Sequence, residues 1–227
     1  MPSADLAAAS GGASDGVISG FVITAMLHRE WLTQGRLRFG RFYLRRFTRL
    51  MPALAVMVSV TMILSALILS PLEPQKNAAK TAMGAMVALA NVIIARTTGD
   101  YFDAPAAVNP LLNTWSLSVE EQFYLVFPAL LVLGWVLARR TRALRVSPLV
   151  IVALVAAGSF TLALVSSTNP VFRGSGTLLG FYSPFTRAWE FAVGALLALL
   201  LARRAVRAPR TLAVAGLAGV VLLALSF

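Results

Sequence analysis

The chain has 227 residues, of which 58% are hydrophobic and only 13% charged, and its formal net charge is +11. Several apolar stretches approach the roughly 20 residues that cross a bilayer, and a water-soluble domain would carry about a quarter of its residues as charges, so an all-α, polytopic transmembrane helical bundle is expected. The basic excess then reads as positive-inside orientation, contact with anionic membrane lipids and an anionic ligand rather than as a nucleic-acid surface, while the absence of cysteine and the single histidine, His28, exclude disulfides, a thiol nucleophile and a multi-His or Cys metal site.

Residues 1–16, "MPSADLAAASGGASDG", lack the basic lead of a signal peptide. They are expected to form a non-membrane tail ahead of one membrane domain, 17–227. Val17 to Leu27 is apolar but short and stops at His28-Arg29-Glu30, like the second half of a membrane helix. Residues 36–49, "RLRFGRFYLRRFTR", are basic and aromatic, and 53–70 is long enough to span. A Pro-rich turn, "PLEPQKN", precedes 78–95, which is apolar but rich in small residues and contains Gly84 and Asn91. A polar loop, 96–113, carries Asp100, Asp103, Pro105 and Pro110, and apolar segments follow at 116–138, 148–166, 185–202 and 211–227. The total is about five to seven membrane segments.

Arginine placement orients the chain. The block 36–49 holds six arginines, 139–147 four and 203–210 four; with Arg29 these are fifteen of the twenty basic residues. Eight of the nine acids lie elsewhere, Glu30 being the exception. The three blocks should be cytoplasmic, and Asp100 to Glu120 should face the other side. Residues 53–70 lead out and 116–138 must lead back in. A full crossing by 78–95 would put "RRTRALR" outside, so that segment is expected to be re-entrant or surface-lying, with a plain span and a broken charge bias as the alternative.

The stretch "NTWSLSVEEQFYLVFP", residues 113–128, opens an apolar segment with Trp115, Ser116 and two adjacent carboxylates, Glu120 and Glu121. An interfacial aromatic belt explains Trp115 and Tyr124 but not the acids. On a helix the carboxylates point about 100° apart, and Glu120 shares a face with Tyr124 four residues on. An acid at the edge of a membrane core is a functional-site candidate; a capping role with Ser116 in the first helical turn is the competing explanation.

These residues resemble the central motif of the acyltransferase-3 superfamily, integral membrane O-acyltransferases that modify bacterial surface polysaccharides and related glycans. Three further stretches match in order: "SGFVIT" at 19–24, "FYLRRFTRLMP" at 42–52 and "FYSPFTRAWEFAVGALLAL" at 181–199. The resemblance implies transfer of an acyl group, usually acetyl, from cytoplasmic acyl-CoA (acetyl-CoA) to a hydroxyl of a glycan or lipid-linked sugar, by a multi-pass protein of the bacterial inner membrane. It specifies neither the sugar nor an oligomeric state. On this reading Glu120, Trp115 and Ser116 belong to the catalytic centre, Arg46 and Arg49 to the donor's phosphates, and Tyr124, Arg187, Trp189 and Glu190 to the substrate site. Charge alone favours topology and lipid headgroups for Arg46 and Arg49, and the motif match brings donor binding level with that reading; the three-residue spacing of Arg187 and Glu190 suits a structural ion pair.

The chain departs from the family's pattern. The family's first helix, with its arginine and histidine, has no counterpart here, the second is entered halfway, Asn113 stands where many relatives have histidine, and the chain stops inside an apolar run. Resemblance covers nearly all of this chain but about two-thirds of the family domain. His28 does not fall at the family's histidine position, and a headgroup-level histidine is ordinary. Residues 1–227 alone are therefore expected to transfer no acyl group, and a truncated, inactive membrane protein or partner subunit is the alternative function.

Overall fold

The computed structural model describes residues 3–97, 108–140, 148–168 and 180–205. They form seven helices and, among themselves, no strand: α1 (Ser3–Gln34), α2 (Phe39–Ile68), α3 (Glu73–Met86), α4 (Ala90–Thr97), α5 (Thr114–Arg140), α6 (Pro148–Thr168) and α7 (Pro184–Ala205). Four of these, α2, α5, α6 and α7, are long and apolar enough to cross a bilayer, so the chain is a multi-pass membrane protein. The apolar stretch 211–227, most of the acidic loop with Asp100 and Asp103, and most of the two arginine-rich segments after α5 and α7 lie outside the described residues.

Two apolar cores organise the bundle. The first joins α1, α5, α6 and α7 through Leu27, Phe127, Leu131, Val152 and Phe191. Its tightest seam is α1 on α7, and small residues make it possible. A Cβ on Gly20 would overlap the Phe191 carbonyl, and one on Gly194 the Val17 carbonyl, so the two backbones touch. Gly16 and Gly20 are four apart on one face of α1, the small-xxx-small pattern of close membrane helix pairs. Helix α1 continues upstream of that seam to Ser3 without a break at residue 16. The second core packs α2 on α3 and α4 through Leu54, Val58, Ala82, Ala85 and Ile94. Elsewhere α2 exposes Val56, Val60, Ile63 and Leu67, an apolar surface suited to lipid tails.

Residues 78–95 are not one span. The helix breaks at Val87 to Leu89, where Ala88 adopts φ 57°. The 14-residue α3 and 8-residue α4 reach about 21 and 12 Å at 1.5 Å per residue, short of the roughly 30 Å apolar layer. A broken backbone inside a membrane protein needs its polar groups satisfied by protein, and α5 does this. Gln122 Nε2 donates to the Ala88 carbonyl at 2.7 Å and to Asn91 Oδ1 at 2.9 Å, and Ser118 Oγ accepts from the Ala90 N–H at 3.2 Å. Asn91 in turn donates to the Tyr182 carbonyl at 3.1 Å.

Candidate active site

The first turns of α5 and α7 meet α1 around a small cleft lined by Asp15, Trp115, Ser116, Glu120, Arg187 and Glu190. Arg187 and Glu190 form the ion pair their spacing suggests, at 3.0 Å, with side chains only 11% and 10% exposed. A buried pair costs desolvation and stabilises little, but it places a fixed cation at the cleft. The Arg187 guanidinium lies 4.9 Å from the centre of the Trp115 ring, and Trp115 meets Tyr182 edge-on at 5.3 Å and Phe181 at 5.2 Å. The aromatic wall is thus built from two of the motif stretches, 113–128 and 181–199. Tyr182 sits in the turn before α7, where burial pushes its phenol pKa up, so the hydroxyl stays protonated.

Helix α5 starts at Thr114, which makes Ser116 a residue within the helix rather than its cap. Its hydroxyl donates to the Asn113 carbonyl at 3.0 Å, and Glu120 lies one turn further on, so no capping box forms. Glu120 is half-buried and accepts a hydrogen bond from the Tyr124 hydroxyl at 3.2 Å. Tyr124 is itself clamped: the Arg46 guanidinium stacks on its ring, 3.1 Å from the centre. The same guanidinium binds Glu121 through Nη2 at 2.6 Å and Nε at 2.8 Å. One residue pair further along, Tyr43 donates to the Leu125 carbonyl at 2.8 Å.

These contacts correct the separation inferred from charge placement. That inference set Arg46 in a cytoplasmic block and the acid pair near the opposite surface, whereas the guanidinium and the Glu121 carboxylate touch. Helix α2 carries Arg46 two turns in from its start, where it is turned onto α5. Donor-side and acceptor-side candidates therefore form one connected cluster: Arg46, Glu121, Tyr124 and Glu120, leading to the cleft with Arg187, Glu190, Trp115 and Ser116. Two expected residues stand apart. Arg49 is exposed, and the Trp189 ring packs edge-on against Phe160 of α6 at 5.4 Å, away from the cleft. His28 lies against Trp135, near the far end of α5.

Compared with known proteins, the chain matches the acyltransferase domain family over residues 17–227. The chain belongs to this family. Every residue of the cluster lies in the matched range; of the cleft lining, Asp15 and Gly16 precede it. Among similar curated proteins, the peptidoglycan O-acetyltransferase OatA of Listeria monocytogenes is 35% identical over 184 residues, 75% of this chain and 29% of that protein. The putative peptidoglycan O-acetyltransferase YrhL of Bacillus subtilis is 29% identical over 185 residues, 81% of this chain and 27% of that protein. The O-acetyltransferase OatA of Staphylococcus aureus is 31% identical over 165 residues, 72% of this chain and 26% of that protein. The chain thus spans under a third of the length of these relatives. No solved structure matches it.

Sequence reasoning missed Glu121 as the partner of Arg46, Gln122 as the clamp on the α3–α4 break, and Asp15 with Gly16 at the cleft wall. The Gly16–Gly20 spacing was a readable signal for the α1 seam; the other contacts join residues far apart in sequence.

Proposed function

We propose that the chain is the core of a membrane O-acetyltransferase that moves acetyl from acetyl-CoA to a hydroxyl of a cell-envelope glycan, with peptidoglycan the first acceptor to test, in the cytoplasmic membrane of a bacterium. The observation that carries this is the cleft itself: a half-buried carboxylate oriented by a tyrosine, beside a fixed guanidinium and an aromatic wall. Sugars stack on such walls, and Trp115 with Tyr182 supplies one. Glu120 takes the proton of the acceptor hydroxyl, whose oxygen attacks the thioester carbonyl carbon. Arg187 offsets the negative charge that builds on the carbonyl oxygen. The carbon–sulfur bond then breaks, and the thiolate recovers the proton held by Glu120. Arg46 keeps Tyr124 and Glu121 in register, and Arg49, exposed one turn away, meets the donor's phosphates. The relatives' names support acetyl as the acyl group and peptidoglycan as the acceptor class.

The test uses the protein as its cells make it. With Glu120→Gln introduced at the chromosomal copy, acetate released from purified envelope glycan by mild base should fall steeply, since general-base assistance contributes about 10²–10⁴-fold. Unchanged glycan O-acetate at normal protein levels would overturn the assignment of Glu120.

A further inference from the structure

Several hydroxyls of α6 bond α6 itself. Thr161 donates to the Gly158 carbonyl, Ser166 to that of Ala163 and Thr168 to that of Leu164, the local pattern usual for such residues inside a helix. Ser159 is different. It is buried, and its hydroxyl serves α7: it donates to the Phe185 carbonyl at 2.7 Å and accepts from the Trp189 N–H at 2.9 Å. Those two backbone groups are four residues apart, the pair that a regular α-helix joins directly. A side chain set into that ladder bends or opens a helix at one turn. The middle residue of this turn is Arg187.

The entry to the turn is held as well. Ser183 Oγ accepts from the Phe185 N–H at 3.1 Å, the Thr186 hydroxyl donates to the Ser183 carbonyl at 3.1 Å, and Asn91 of α4 holds the Tyr182 carbonyl. Ser159 then ties the turn to α6 on both sides of Arg187. The Arg187 guanidinium reaches Trp115 and Glu190 in the cleft, whereas Ser159 is not part of the cleft lining. Trp189, expected from the sequence at the substrate site, enters this arrangement through its backbone, its ring lying against Phe160 of α6.

We propose that Ser159 is a positioning residue, whose hydroxyl between the Phe185 carbonyl and the Trp189 amide fixes the turn of α7 that presents Arg187 to the cleft. The inference rests on the reading of Arg187 as the cation that offsets charge on the carbonyl oxygen. A group with that task must sit within about 3 Å of the developing charge, and a misplacement of about 1 Å costs on the order of 10²-fold. Removing the hydroxyl leaves the Phe185 carbonyl and the Trp189 N–H able to bond each other as the turn closes. The expected signature is therefore lost transfer from a protein of normal stability.

Ser159→Ala at the chromosomal copy should lower the base-released acetate of the envelope glycan about 10–100-fold at normal protein levels. Ser159→Thr, which keeps the hydroxyl, should retain most of it, and Gly158→Ala, whose added methyl meets open space, should match wild type. In an Arg187→Gln background Ser159→Ala should add no further loss, because it acts through Arg187. Position is read without catalysis: with Trp115→Cys and Arg187→Cys in native membranes, a short bifunctional thiol reagent should cross-link several-fold more slowly when Ser159→Ala is added. If Ser159→Ala does not accumulate, Ser159→Cys, with its weakly hydrogen-bonding thiol, replaces it in the acetate measurement with the same loss expected. Where Arg187→Gln lowers acetate, a wild-type acetate level in Ser159→Ala, or losses that multiply in the double variant, overturns the proposal. Unchanged cross-linking overturns it in every case. If Arg187→Gln leaves acetate unchanged, the reading of Arg187 fails instead, and slower cross-linking still upholds Ser159 as the residue that places the turn.

Discussion

A guanidinium held between a carboxylate and a phenol ring is fixed by two forces at once. Arg46 donates a fork of hydrogen bonds to Glu121 and lays its plane on Tyr124, and lysine reproduces neither geometry. Arg46→Lys should therefore behave more like Arg46→Ala than like wild type. A double-mutant cycle of Arg46→Ala with Glu121→Gln, followed by thermal unfolding in detergent, should show a coupling of about 1.5–3 kcal/mol, the range for hydrogen bonds to charged groups. Coupling near zero would mean that the contact contributes no order to the site. The residue types at the site were legible beforehand, because an acid pair or a buried arginine in an apolar segment is costly and stands out. Their pairing was not. Arg187–Glu190 follows from three-residue spacing on one helix, but Arg46 and Glu121 lie 75 residues apart, and the crossing of α2 over α5 decides whether they meet.

Among the elements, α5 does two tasks with one turn of helix. Glu120 and Glu121 face the cleft and α2, while Ser118 and Gln122 face the α3–α4 break and satisfy its backbone. Gln122→Leu keeps the side-chain volume but leaves the Ala88 carbonyl and Asn91 Oδ1 short of a donor, which should cost about 1–3 kcal/mol per group. A drop in the melting temperature of the purified chain measures this, and no drop would remove Gln122 from the fold's supports. At the α1–α7 seam, Gly20→Val should destabilise by about 1–3 kcal/mol or more through overpacking, since its Cβ meets backbone rather than a movable side chain. The broken character of 78–95 was readable from Gly84, Asn91 and the arginine count, whereas the clamp that stabilises the break was not, because Gln122 reaches it across 34 residues.

At the scale of the whole molecule, the C-terminal parts of α1, α5 and α7 come together at one end of the bundle, where His28, Trp135 and Arg203 line one cavity. Thr141→Cys, in a chain with no native cysteine, should resist an impermeant thiol reagent in intact cells and react after permeabilisation; reaction in intact cells would invert the orientation. Orientation is inferred from the composition of loops alone, and the labelling decides it. Depth was not legible, since it depends on helix tilt and register, and this is why the arginine block and the acid pair, set apart by charge counting, prove to be neighbours. That neighbourhood is the basis for reading one site in which donor and acceptor groups meet. Its most direct test is a cross-link between Arg46→Cys and Glu121→Cys in native membranes with a short bifunctional thiol reagent. Efficient intramolecular cross-linking, absent when Arg49→Cys replaces Arg46→Cys, is the predicted result. Failure of the 46–121 pair to cross-link, with the two cysteines labelled from opposite faces of the membrane, would contradict it.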